Sequence, residues 1–192
     1  MAKIRCFIAI PVPERIRERC LEIQTSLQDS SSVCRWVDPK NFHLTLNFLG
    51  EIDELQLVSA CQIVKKLTKN HPPFQISLTG VGCFPNLRRP KVLWIGVNLG
   101  ADICIQLQSE LSNHLAEEMG YRPEDRKFHP HLTMARIGTQ SENLSWPGIL
   151  KPYESQEFGE WNVDEIVVME SDFSRSSPDY HVLSRGVLAA KN

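Results

Sequence analysis

His43-Leu44-Thr45-Leu46 and His131-Leu132-Thr133-Met134 repeat one pattern, His-x-Thr-x, 88 positions apart. In a strand successive side chains alternate faces, so His and Thr at i and i+2 point the same way, while the apolar residues between and after them turn to a core. Each stretch therefore offers an imidazole and a hydroxyl together. Two imidazoles brought to one cleft supply both halves of acid–base catalysis, because an unperturbed histidine pKa near ~6.5 lets one ring be neutral while the other is protonated. A bell-shaped pH profile with limbs within about one or two units of that value is the expectation.

Working outward from the first motif, Asp38-Pro39-Lys40-Asn41 turns the chain into a strand from Phe42 to Leu49, which Gly50 is expected to close. Upstream, Ile4 to Ile10 reads as a buried strand stopped by Pro11-Val12-Pro13. A helix follows from Glu14 to about Leu27, with Ile16, Cys20, Ile23 and Leu27 inward, then a polar loop at Asp29 to Ser32 and a short strand from Cys34 to Val37. Downstream, Asp53 is positioned as the N-cap of a helix running to about Lys69, with Leu57, Ala60, Cys61, Val64 and Leu67 as its inward stripe and His71-Pro72-Pro73 as its stop.

The second motif is approached in the same order. Phe74 to Phe84 reads as a strand, Pro85 to Pro90 as a basic turn, Val92 to Val97 as a strand, and Asp102 to Met119 as a helix with Cys104, Leu107, Leu111 and Leu115 inward. Strand, helix, loop and His-x-Thr-x thus occur twice, a duplication of architecture without residue-by-residue identity. The last third reads as a loop from Thr139 to Pro152 around Trp146-Pro147-Gly148. Strands from Tyr153 to Trp161, Glu165 to Asp172 and Tyr180 to Val187 follow, with a turn at Ser174 to Asp179. Strands and helices without regular βαβ alternation favour α+β, and no linker interrupts what is expected to be one bilobal domain over residues 1–192. There is no G-x-G-x-x-G or Walker loop.

Composition narrows the function classes. With 42% hydrophobic and 23% charged residues the chain suits a soluble globular protein, and a formal net charge of −2 excludes the global basic footprint of a tight nucleic-acid binder, so any RNA contact must be local. The cysteines at 6, 20, 34, 61, 83 and 104 form no C-x-x-C pair and fall in apolar patterns, which suits reduced core residues and a cytosolic setting. The amino terminus runs straight into a strand, and no apolar run approaches ~18 residues, so neither secretion nor membrane spanning is expected. Neither motif supplies a carboxylate or cysteine at ligand spacing and threonine is a poor zinc ligand, so no metal and no cofactor is expected.

The stretches Cys6-Phe7-Ile8-Ala9-Ile10-Pro11, Arg35-Trp36-Val37, Phe42-His43-Leu44-Thr45-Leu46-Asn47-Phe48-Leu49-Gly50, Phe84-Pro85-Asn86, Arg88-Arg89-Pro90, Val92-Leu93-Trp94 and Phe128 to Arg136 share another property. Together they resemble the 2H phosphoesterases, specifically the RNA 2′,3′-cyclic phosphodiesterase branch also called 2′-5′ RNA ligase, nearly end to end. The resemblance implies two antiparallel-sheet lobes with helices outside, related by a pseudo-twofold, both motifs lining the cleft between them. It further implies hydrolysis of an RNA 2′,3′-cyclic phosphate to a 2′-phosphate, with His43 as proton donor, His131 as proton acceptor, and Thr45 and Thr133 on the phosphoryl oxygens. The two motifs are so alike that the residues alone leave donor and acceptor unassigned.

Around these four, the family pattern H-x-T-x-x-R nominates Arg136 as a phosphate contact, although three residues beyond Thr133 an ideal strand turns it to the opposite face. Phe48 has the same parity problem; core packing and stacking on a base are its two readings, with packing the stronger. His129 shares parity with His131 and is expected at the cleft edge. Arg88, Arg89 and Lys91, and Arg122, Arg126 and Lys127, are solvated charges or RNA phosphate contacts. The expected partner is an RNA end with a 2′,3′-cyclic phosphate, such as a tRNA fragment, met by a monomer. Two other readings stand beside this one: a non-catalytic nucleotide- or RNA-binding module of the same fold, which would not need two titratable groups in matched positions, and a phosphodiesterase for a small cyclic nucleotide.

Overall fold

The structure is a computed structural model that describes residues 3–28, 34–138, 144–172 and 178–189. The expected polar loop at 29–32 lies outside the described residues, as do 139–143 of the expected loop and 174–177 of the expected turn. The elements are β1 (Ile4–Pro11), α1 (Glu14–Gln28), β2 (Cys34–Trp36), β3 (His43–Ile52), α2 (Glu54–Thr68), β4 (Phe74–Phe84), β5 (Val92–Val97), α3 (Ala101–Met119), β6 (His131–Ile137), α4 (Trp146–Leu150), β7 (Glu157–Val163), β8 (Glu165–Asp172) and β9 (Asp179–Val187).

Every described strand pairing is antiparallel, and the sheet order is β7-β4-β5-β6-β3-β1-β8-β9, with β2 beside the far half of β6. The order is symmetric about its centre. β6, β5, β4 and β7 on one side answer β3, β1, β8 and β9 on the other, and the two motif strands meet through a single ladder pair, Leu44 opposite Leu132. These halves are the two lobes of the expected α+β fold. Lobe membership does not follow chain order, because the chain leaves β3 through α2 to begin β4 in the other lobe and returns between β7 and β8.

The helices sit on one face of this sheet. Ile16, Cys20 and Leu27 of α1, Ala60, Val64 and Leu67 of α2, and Cys104, Leu107, Leu111 and Leu115 of α3 join Ile8, Leu44, Leu132 and Met134 in one continuous core. The predicted stripes hold, with a shift in two of them: in α1 Gln24 is buried and Ile23 half-buried, and in α2 Ile63 is buried while Leu57 and Cys61 are half-buried at its edge. Asp53 caps α2 as expected, its carboxylate accepting from the Gln56 N–H at 2.9 Å while the Gln56 side-chain oxygen accepts from the Asp53 N–H at 3.1 Å. Cys6, Cys20, Cys83 and Cys104 are buried free thiols, and burial pushes Cys20 and Cys104 up to about 12.

Three boundaries differ from the sequence reading. Gly50 does not close β3; it takes φ +71° inside a strand that runs on to Ile52. The stretch expected as a loop up to Pro152 contains α4, with Pro147 in its first turn and Trp146 and Leu150 buried one turn apart. A 3-10 turn over Lys151–Tyr153 follows, so β7 begins at Glu157 rather than at Tyr153.

Candidate active site

The side of the sheet away from the helices carries both motifs. On β1, which alternates regularly, Pro11, Ala9 and Phe7 stand opposite His43, Thr45 and Phe48 respectively. On β5, Gly96, Trp94 and Val92 stand opposite His131, Thr133 and Arg136. Directly paired residues share a face. His43, Thr45 and Phe48 therefore line one lobe of the cleft, and His131, Thr133 and Arg136 line the other. An extra residue in each motif strand makes this possible: Leu46 in β3 and Met134 in β6 sit where the pairing skips, a β-bulge that reverses parity after the threonine. Burial runs through the same sequence in both strands, partly buried His and Thr, buried residues at the second, fourth and fifth positions, then an exposed sixth position.

The parity problem is thus resolved toward the cleft for both residues. Phe48 is not a core residue: it is 57% exposed, its ring centroid 6.2 Å from that of Phe7. Arg136 is exposed on the cleft face, and its charge reaches Tyr180 of the opposite lobe. Burial raises the Tyr180 phenol, and the Arg136 and Arg5 guanidinium groups act the other way.

Both imidazoles are held in the same manner. Nδ1 of His43 donates to the Asn41 carbonyl at 2.7 Å, and Nδ1 of His131 donates to the His129 carbonyl at 2.7 Å. A carbonyl oxygen only accepts, so the proton of each neutral ring resides on Nδ1 and the lone pair on Nε2. Asn41 is itself anchored, its side-chain amide donating to the Pro178 carbonyl at 2.7 Å just before Tyr180.

The surroundings of the two rings differ. His43 lies 4.7 Å from Phe7 and edge-on to Tyr180 at 5.2 Å, measured between centroids. His131 lies edge-on to Phe84 at 4.9 Å and 6.3 Å from Trp94. Burial among these rings lowers His43 to about 4, with the Asn41 bond opposing the shift and His131 adding to it. Burial also lowers His131, opposed by its carbonyl bond and aided by His129. The His43 displacement is larger than the one or two units expected.

Trp94 lies flat across the sheet because Gly82, its partner on β4, and Gly96 leave it room: a Cβ on Gly82 would fall 2.4 Å from the indole Cη2. Beside His43 a cavity of ≈ 200 Å³ opens, with Arg17, Lys40, Met169, Tyr180 and Arg185 among its walls.

His129 is at the cleft edge as expected, exposed and 5.0 Å from Trp94. Arg88 and Arg89 lie on an exposed turn whose backbone N–H groups donate to Asn86 at 3.0 and 3.2 Å; the turn follows Phe84, which touches His131. Arg126 is exposed and paired with Glu124 at 2.9 Å, and no contact among the described residues joins it to either motif. Sequence reasoning missed Phe7, Asn41, Phe84, Trp94 and Tyr180. Phe7 and Trp94 carry a signal, each being the aromatic at a cleft-facing position of the strand beside a motif. Asn41 holds His43 through its backbone carbonyl two residues before the ring, a role its side chain does not signal, and Tyr180 meets His43 only through the fold. Among the described residues no three of His, Cys, Asp and Glu cluster as a metal site would require, and no helix is long and apolar enough to cross a membrane.

A protein of Aquifex aeolicus named RNA 2′,3′-cyclic phosphodiesterase is 34% identical over 184 residues, covering 95% of this chain and 96% of its own. One of the same name from Methanothermobacter thermautotrophicus is 31% identical over 93% of this chain and 95% of its own. Among solved structures, a Thermus thermophilus protein superposes with a TM-score of 0.82 at 29% identity, covering 98% of this chain and all of the other. E. coli LigT in apo form gives 0.79 at 26% identity over 99% of this chain and 100% of its own, and LigT has also been solved with 3′-AMP and with phosphate. The family model described as LigT like Phosphoesterase matches residues 10–94 and 100–180, both motifs included. The chain therefore belongs to the LigT-like phosphoesterase family.

Proposed function

We propose that residues 1–192 act as one unit that opens the 2′,3′-cyclic phosphate at RNA ends, leaving a 2′-phosphomonoester, by metal-independent acid–base catalysis between His43 and His131. The observation that carries this reading is the matched Nδ1–carbonyl bond, which leaves both Nε2 atoms available for proton transfer from opposite lobes. A pure binding module has no use for two such poised groups. The names of the Aquifex and Methanothermobacter relatives, and the occupation of LigT by 3′-AMP and by phosphate, support the substrate class.

In this mechanism Nε2 of His131 takes the proton of the attacking water while Nε2–H of His43 protonates the departing 3′-oxygen. The antiparallel register about Leu44 and Leu132 brings His43 toward Thr133 and Thr45 toward His131, so a phosphoryl group between the motifs meets one donor hydroxyl from each lobe. Water and leaving oxygen then lie on opposite sides of phosphorus, as in-line displacement requires. Phe48 offers a base a stacking face, and Arg136 offers its charge to the phosphate. With the 5′-hydroxyl of a second RNA in place of water, the same displacement, with the same proton transfers, forms a 2′-5′ linkage. Buried reduced thiols suit a cytoplasmic setting, and the unit is proposed to work as a monomer.

The test is a short RNA ending in 2′,3′-cyclic phosphate. After exhaustive chelation the ring should still open, and the product should resist an enzyme specific for 3′-phosphates while yielding to a general phosphatase. A 3′-phosphate product overturns the assignment of His43 as acid, and loss of turnover restored by one divalent ion overturns the metal-free mechanism.

A further inference from the structure

β2 contributes one residue to the cleft face. Cys34 and Trp36 pack against the core, while Arg35, exposed between them, stands directly opposite Arg136 in the β2–β6 ladder. Directly paired residues share a face, so two guanidinium groups lie side by side on the surface that carries His131 and Thr133. Like charges in that position are unfavourable unless something negative lies between them. Among the described residues neither arginine is paired with a carboxylate.

The place of the pair matters as much as its charge. The bulge at Met134 makes Arg136 the next cleft-facing side chain after Thr133, about 7 Å along the strand, with Arg35 one strand spacing of about 5 Å to the side. β2 occupies the same flank of β6 that β3 occupies at Leu132, so the pair lies along the line between the two motif strands, and Arg136 is within electrostatic reach of Tyr180, which packs on His43. A guanidinium fork matches phosphate geometry and cannot lose its charge.

We infer that Arg35 and Arg136 form a second anion subsite, which takes the internucleotide phosphate on the 5′ side of the terminal nucleoside. The subsite lets the protein tell an RNA end from a free cyclic nucleotide, and it rests on the reading that the motifs hold a 2′,3′-cyclic phosphate. Arg35 binds the chain and is remote from the reacting atoms; Arg136 faces both phosphates.

The experiment compares 2′,3′-cyclic AMP with a dinucleotide ending in the same cyclic phosphate. The wild-type kcat/KM should be about tenfold or more higher for the dinucleotide, and should fall more steeply with salt, the log–log slope differing by about 0.7 for one added phosphate contact on a single strand. Arg35→Gln should remove most of the dinucleotide advantage and the extra slope while leaving cyclic AMP turnover unchanged, and Arg35→Lys should keep most of both. Equal wild-type values and slopes for the two substrates overturn the subsite without any variant. A loss in Arg35→Gln shared equally by both substrates overturns it too. A wild-type protein that opens neither substrate overturns the underlying reading, and the subsite with it.

Discussion

His43 and His131 share a hydrogen bond pattern but not an environment, and that difference sets the pH behaviour. Both rings are driven toward neutrality by burial, His43 to about 4. A mechanism needing one neutral and one protonated imidazole gives a bell whichever ring plays which part, with its limbs at the two apparent values of the free enzyme in kcat/KM. Both limbs should therefore lie below the ordinary 6.5, and kcat/KM should fall about tenfold per pH unit above the upper one. A bound phosphate anion favours imidazolium, so the kcat profile should sit at higher pH than the kcat/KM profile. An alkaline limb of kcat/KM above pH 7 would contradict the burial argument. Phe48 makes a separate prediction. An exposed residue contributes little to packing, so Phe48→Ala should change stability by no more than about 0.5 kcal/mol. Loss of base stacking, worth about 1–3 kcal/mol, should raise KM for RNA by roughly five- to 150-fold, measured beside thermal unfolding. The histidines and threonines were legible in the sequence because i and i+2 share a face in any strand. Phe48 and Arg136 were not, because one inserted residue reverses parity and the alternation of Leu46-Asn47 or Met134-Ala135 does not announce it.

The three long helices were legible because each buries a stripe at 3.6-residue spacing, and in α2 the Asp53 cap marks the start. α4 escaped because Trp146-Pro147-Gly148 has turn chemistry; the burial of Trp146 and Leu150 under the fold, not local preference, makes that turn helical. The β4–β5 pair carries information of another kind. Gly82 and Gly96 read as weak points in strands, yet together they make the bed for the Trp94 indole that supports His129 and His131. Gly82→Ala should displace that indole, lowering stability by about 1–3 kcal/mol and reducing kcat as the His131 ring loses its backing, with thermal unfolding and turnover measured on one preparation. Unchanged kcat beside lowered stability would show that the indole does not orient the ring.

The duplication read from the sequence, strand, helix, loop and motif, is present as β1-α1-β3 and β5-α3-β6, yet the halves of the sheet are not the halves of the chain. No local pattern reveals that β4 starts in the far lobe or that β1 pairs with β8, because strand partners are chosen by the assembled core. The single Leu44–Leu132 pair is a slender join in the ladder, but the core under it is continuous and the chain crosses it four times, out to β2 and back to β3, then out to β4 and back to β8, so unfolding in urea should be one transition, identical by fluorescence and circular dichroism. Two separated transitions would mean that the lobes hold themselves together independently. The pairing of Cys6 to Ala9 with Val167 to Glu170 also has a consequence during synthesis. β1 is among the most apolar strands of the chain, and of its two neighbours β8 is made after every other element but β9. From its own emergence at the ribosome until β8 follows, β1 must wait with an unpaired edge, and the cell's chaperones meet this protein as a nascent chain with that strand exposed.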